Sequence, residues 1–253
     1  MIPPFRTAYN AGFTAGKYAA FLADIAAEGR TKPPFRIAET PVFIPAALRN
    51  KMIAAAEYII DVILRPDFRE RTEAAIPAGF RVANENGHAH CVIIDFAACR
   101  NAQGELEPQL IELQGFPSLF AFQELLGRQF RRHFDIPAEV DNFPAGWDQR
   151  RYYDFLQRTF LNGHAPEHVI LLEVQPLQQK TLVDFYATEN QLGIRPVCVS
   201  DLIQEGDQLF YLRDGVKTRV KRIYNRVIFE DLQEYKDHPL PDLFGLQPSL
   251  RGR

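Results

Sequence analysis

The stretch IIDFAACRNAQGELEPQLIELQ, residues 93–114, governs how this chain is read. Two apolar runs, Cys91–Ala97 (CVIIDFA) and Pro108–Leu113 (PQLIEL), flank the polar segment Arg100–Glu107 with Gly104 near its centre. Runs of β-branched and apolar residues separated this way predict an antiparallel hairpin with a longer loop. The midpoint between positions 95 and 112 falls on Gln103-Gly104, so Asp95 and Glu112 are expected at similar heights on neighbouring strands. Side chains opposed in this manner share a face and lie ~5 Å apart at Cβ. Gln114, two residues further on, points to the same face, and Ile111 and Leu113 are expected to turn toward the core. Two opposed carboxylates repel unless a cation or a proton lies between them. With the amide oxygen of Gln114 they form a hard oxygen-donor set, suited to Mg²⁺ and poorly suited to zinc. Mg²⁺ so held completes its shell with water and phosphates, which points to a nucleotide site. The alternative is an ordinary polar outer face of a sheet, with both acids in water.

Outward from the hairpin the pattern is mixed α/β. Ala8–Ala27 is Ala-rich with a helical period and stops at Gly29; Lys32-Pro33-Pro34 then breaks the chain. A second helix is expected from near Pro45, through Leu48, Met52, Ala55, Ile59 and Val62, ending before Pro66. The character of the chain changes near Phe80, where the hairpin region begins. Beyond the hairpin, a helix is expected from Ser118 through Phe134, with Ser118 as its N-cap, and another near Asp148–Phe160. His168–Val174 (HVILLEV) reads as a buried strand, Gln179–Leu192 as a helix ending at Gly193, and Ile194–Val199 as a strand. Strand, helix and strand in such a span predict a parallel βαβ unit. Asp214-Gly215 between Gln208–Leu212 and Lys217–Val227 predicts a second hairpin. The organisation expected is an N-terminal helical segment (1–75), the hairpin and helices with the acidic site (76–165), the βαβ unit plus hairpin (166–232) and a tail (233–253).

Composition narrows the functional classes. Of 253 residues, 46% are hydrophobic and 24% charged, with a net charge of −3, as in ordinary globular proteins. The densest basic run, Arg128, Arg131, Arg132 and His133, is expected to be a solvated helix face, since nucleic-acid binders concentrate far more positive charge. A small-molecule substrate is therefore expected, with no nucleic acid. The three cysteines have no metal-type spacing and suit a reducing compartment. The start MIPPFRTAYNAGF lacks a secretory pattern, and no apolar run approaches the ~18 residues of a membrane helix. A cytoplasmic location is expected.

The residues IIDF…PQLIELQGFPSL, in 93–119, resemble the circularly permuted ATP-grasp proteins, including glutathionylspermidine synthase. That family carries an Asp on one strand and a Glu-x-Asn on the next, together holding Mg²⁺. The resemblance implies that Asp95 and Glu112 are metal ligands, with Gln114 standing where Asn is usual and Ile93 where the glutathionylspermidine branch has Arg. A second match runs through LLEVQPLQQKTLVDFYATENQLGIRPVCVSDLI and then RIYNRVIFEDL, residues 171–203 and 222–232. It implies nucleotide or substrate contacts from Glu173, Gln175 and Asn225, and oxyanion binding by Arg222 and Arg226. For Arg226 the alternative is an ion pair with Glu230 or Asp231; for Glu173 and Gln175 it is capping of the turn that follows the strand. The implied chemistry is ATP- and Mg²⁺-dependent ligation of a carboxylate through an acyl phosphate. The family continues well past such a strand, so a fragment or a shortened relative is expected.

Two other function classes stay open: a non-catalytic binding domain of the same fold, and a retaining glycosidase using Asp95 and Glu112. His88-x-His90 could ligate a metal but reads more simply as a polar turn. Ser118, in GFPSLF, lacks the G-x-S-x-G frame of a nucleophile elbow.

Overall fold

The computed structural model describes residues 2–76, 89–143 and 146–234. Phe80, His88 and the tail beyond Glu234 lie outside the described residues. The architecture is mixed α/β, and contacts divide it into two compact units. One is formed by 42–117, the other by 3–41 together with 118–241. The N-terminal helices are therefore divided between the units.

In the unit formed by 3–41 and 118–241, α1 (Pro3–Gly12) and α2 (Ala15–Glu28) replace the single helix expected from Ala8 to Ala27. The interruption at Phe13-Thr14 has a local cause: extended Thr14 caps α2, its hydroxyl accepting from the Lys17 N–H at 3.1 Å. Helices α5 (Phe120–His133) and α6 (Gln149–Leu161) follow the hairpin. Asp148 caps α6 by accepting from the Arg151 N–H at 2.8 Å. The expected βαβ unit is present as β3 (Val169–Glu173), α7 (Leu182–Leu192) and β4 (Arg195–Cys198), with β3 and β4 parallel. Gly193, at φ +71°, closes α7 in the left-handed conformation a glycine adopts most readily.

The segment expected as one strand, Lys217–Val227, is two. Strands β5 (Ile203–Glu205), β6 (Gln208–Arg213) and β7 (Val216–Val220) make one antiparallel sheet, with Asp214-Gly215 at its turn. Then β8 (Arg222–Asn225) leaves it and pairs parallel to β3, giving the order β4-β3-β8. The switch occurs at Lys221, whose N–H is taken by the His168 carbonyl at 2.8 Å, just before β3. Val169, Ile170, Leu171 and Leu172 of the central strand are fully buried. A parallel strand covered on both faces reads as such a continuous apolar run. Helix α7 packs against β4, α5 and α6 against α7, and α2 against α5, with Phe21, Phe130 and Phe134 clustered ring against ring.

The basic run on α5 is ion-paired within this unit, with Arg131 and Arg132 on the exposed face as expected. Arg128 pairs with Glu28 and Glu124, Arg132 and His133 with Asp24, and Arg131 with Asp141. Glu124, buried, also accepts from Gln149 at 2.7 Å and from the Tyr153 hydroxyl. Burial and that carboxylate push the Tyr153 phenol up to about 12.

In the unit formed by 42–117, α3 (Ala46–Ile63) and α4 (Phe68–Thr72) precede the hairpin of β1 (Ile93–Arg100) and β2 (Leu106–Gln114). Asn101 staples the loop, its side-chain oxygen accepting from the N–H groups of Gln103 and Glu105 at 3.0 and 2.9 Å. Helix α3 packs against β2. No residue of the hairpin strands is fully buried.

Candidate functional site

The hairpin brings Asp95 and Glu112 together as register partners. Ile93 faces Gln114 and Ile94 faces Leu113, after which the register slips by one, so that Phe96 faces Leu110 and Ile111 has no partner. This is a β-bulge, which bends the strand and re-aims the residues beside it. Ile111 is 65% exposed and Leu113 38%, so neither is in a core as expected: Ile111 is the unpaired bulge residue, and Leu113, in register with Ile94, lies where both faces of β2 are exposed. Both carboxylates are themselves exposed. The Gln114 amide nitrogen donates to the Glu112 carboxylate, so its oxygen is turned away from the acid pair. Half a rotation of that amide would add the oxygen to the set. The donors fit an Mg²⁺ ion that keeps most of its shell as water or phosphate, the usual mode for that ion. Among the described residues no group of three or more His, Cys, Asp or Glu side chains converges on one point.

A second cluster lies at the carboxyl ends of the parallel strands. Ligands of open α/β sheets bind in the crevice there, where the chain leaves a central strand toward opposite sides. Here β3 is central, Glu173 closes it opposite Cys198, and Leu172 faces Asn225. Arg226 follows directly, its N–H donating to the Leu172 carbonyl at 2.9 Å. Glu173 and Arg226 are 4% and 5% exposed, and Asp184 is completely buried. The Arg226 guanidinium interacts electrostatically with both acids, lies 5.5 Å from the centre of the Phe185 ring, and reaches Thr181 Oγ1 at 3.5 Å.

Burial pushes the Glu173 carboxyl up to about 7, although the Val174 N–H and Arg226 oppose this. Asp231 adds to the upward shift. Asp184 is raised too, first by burial, and held down by the Phe122 N–H, by Arg226 and by the N–H groups of Leu119 and Ala121.

Those N–H groups identify the true cap of α5. The Phe122 N–H donates to Asp184 Oδ1 at 2.9 Å, and the N-cap position is Leu119, at φ +59°, with no side-chain bond of its own. Ser118 is therefore not the cap; a carboxylate from α7 takes that role across the fold. Asp184 was the residue sequence reasoning left without a role. Its signals are its place in the 171–203 stretch that carries the resemblance and its position directly between the apolar residues Val183 and Phe185.

The remaining expected residues separate. Glu173 Oε1 accepts from its own Val174 N–H at 2.8 Å, the turn-capping arrangement. The Asn225 side chain caps its own turn through the Val227 N–H at 3.2 Å. Gln175, exposed and at φ +46°, donates its N–H to Cys198 Sγ at 3.3 Å. Arg222 stands at the opposite end of β8 from Arg226, ~13 Å away at strand rise. Its guanidinium donates to the Thr159 and Phe160 carbonyls of α6, each at 2.8 Å. Arg222 and Arg226 thus do not serve one site, and Arg222 closes a helix C-terminus, where a cation is favourable.

No family model matches the chain, and no curated protein does. Among solved structures, the chain resembles the apo form of a glutathione synthetase-like effector from Globodera pallida, with a TM-score of 0.50 and 15% sequence identity. The match covers 89% of this chain and 59% of that one, so this chain spans little more than half of that structure. At this identity the likeness concerns the fold. No helix among the described residues is long and apolar enough to cross a membrane.

Proposed function

We propose that this chain is a relative of the circularly permuted ATP-grasp ligases, binding ATP with Mg²⁺ at Asp95, Glu112 and Gln114 and ligating a small carboxylate to an amine or thiol. The observation that carries the reading is the pairing of Asp95 with Glu112 as direct register partners. Opposed like charges in a hairpin are unfavourable by themselves, so their placement favours a cation between them. The resemblance in fold to a glutathione synthetase-like effector supports the same reading. Bound Mg²⁺ would supply charge neutralisation at phosphate oxygens; the protein's own part is to hold the two carboxylates at one height on paired strands.

The test is a thermal shift of the full chain with ATP and Mg²⁺, alone and together. The expected result is stabilisation that requires both and is lost in Asp95→Asn and Glu112→Gln. Stabilisation that persists in both variants, or none in the wild type, removes the reading.

A non-catalytic binding domain of the same fold is the second reading. It is favoured by the exposure of Leu110 and Ile111 beside the acids, 53% and 65%. Phosphoryl transfer calls for a site from which water is excluded. ADP release in the presence of a mixed panel of carboxylates and amines separates the two: binding without turnover selects the second.

A further inference from the structure

The end of the parallel sheet away from Glu173 and Arg226 holds a cavity of about 300 Å³, which shares no residue with the buried cluster or the acidic hairpin. It is lined by Arg219, Lys221 and Arg222, by the apolar Leu209 and Ile223, and by one acid, Asp207. Three cations therefore face one carboxylate around an apolar floor.

Arg219, Val220 and Lys221 follow one another where β7 passes into β8, and all three line the cavity, with buried Val220 between two exposed cations. The backbone between them is fixed twice by His168: its carbonyl accepts the Lys221 N–H, and its Nδ1 meets the Arg219 carbonyl, both at 2.8 Å. Arg222 is fixed by its two bonds to α6. The backbone that carries the two ligands is tied down before any ligand arrives, which lowers part of the ordering cost of binding.

The nearby cations are neutralised within the fold. Arg195 binds Asp214 and Glu189 at 2.9 and 3.1 Å, and Lys217 binds Glu205. Among the described residues, the side chains of Arg219 and Lys221 make no hydrogen bond or ion pair, with Asp207 or any other acid. An anion entering the cavity therefore meets two cationic side chains that no acid of the described residues neutralises.

We propose that this cavity binds a small phosphate-bearing anion, with Arg219 and Lys221 as its ligands and Arg222 at its base. The size suits a compact metabolite rather than a polymer, and the apolar floor accommodates a short carbon skeleton. Arg supplies paired donors to phosphate oxygens and Lys a point charge. The site is built without Asp95 or Glu112, so its occupancy does not depend on the ATP-grasp reading.

The experiment is a titration of the full chain with inorganic phosphate at constant ionic strength, followed by thermal shift and calorimetry, with chloride and acetate as matched controls. Phosphate is expected to stabilise the wild type more than either control. In Arg219→Gln/Lys221→Gln the affinity is expected to fall about tenfold or more, the loss of at least one charge-assisted hydrogen bond, while Lys217→Gln binds as the wild type does. A phosphate response equal to that of chloride or acetate overturns the proposal. So does one of full strength in the double variant.

Discussion

The two strand systems of this protein are built on opposite terms. The β4-β3-β8 sheet has a central strand with four consecutive fully buried residues and a polar cluster sealed at its carboxyl end. The β1–β2 hairpin has no fully buried residue and carries its two acids in the open. The first is held by packing, and burial raises the proton affinity of its carboxylates Glu173 and Asp184. The second is held by strand pairing and one helix, with its charges accessible to ions.

The largest expected difference between the two is in packing. Leu171→Ala in β3 is expected to cost ~2–5 kcal/mol, as buried leucine truncations do. Ile111→Ala, at the exposed bulge, should stay within ~0.5 kcal/mol. Urea denaturation of both variants measures this, and equal costs would break the comparison.

The next effect is on pH. Glu173 is pushed from 4.5 to about 7, so between those values the folded chain keeps a proton that the unfolded chain releases. Stability is then expected to be highest at the acid end of that window, to fall as pH rises through it, and to level off above about 7. Each tenfold change in proton affinity is worth ~1.4 kcal/mol, so the decline from this group is roughly 3 kcal/mol. Glu173→Gln should flatten that part of the profile, whereas Asp95→Asn should leave it unchanged. A wild-type profile that rises through the window would contradict the buried cluster.

Smaller again is the helix cap. Asp184→Ala leaves buried N–H groups at the start of α5 without their acceptor, an expected loss of ~1–3 kcal/mol. Ser118→Ala should be close to neutral. Comparable losses from the two would return the cap to Ser118. The smallest effect is in the hairpin: Asp95→Asn relieves opposed like charges and is expected to stabilise the metal-free chain by ~0.2–1 kcal/mol. A destabilised variant would show that Asp95 has a structural partner.

Much of this was legible along the chain. The apolar run HVILLEV, Gly193 and Asp214-Gly215 placed β3, the end of α7 and the second hairpin, because turn chemistry and burial of a parallel strand act locally. The pairing of Asp95 with Glu112 was legible for the same reason, although the bulge at Ile111 was not. A bulge leaves the composition of its strand unchanged and alters only the register, and here it leaves Ile111 without a partner. The break between α1 and α2 had a readable signal in Thr14, outweighed by the alanine-rich period around it.

Residue order alone set the local grammar: which segments are helix or strand, where the turns fall, and that two acids share one hairpin face. Which charges meet was left to the assembled fold. It split Lys217–Val227 between two sheets at Lys221, sending Arg222 to the end of α6 and Arg226 to Glu173 and Asp184, and it made Asp184 the cap of a helix more than sixty residues earlier. Sequence spacing fixes a side chain's neighbours only within its own helix or hairpin. Across a sheet they are fixed by which strands pair, and past Lys221 the chain is tied to β3 by the bond to His168 and by the β8 ladder that follows.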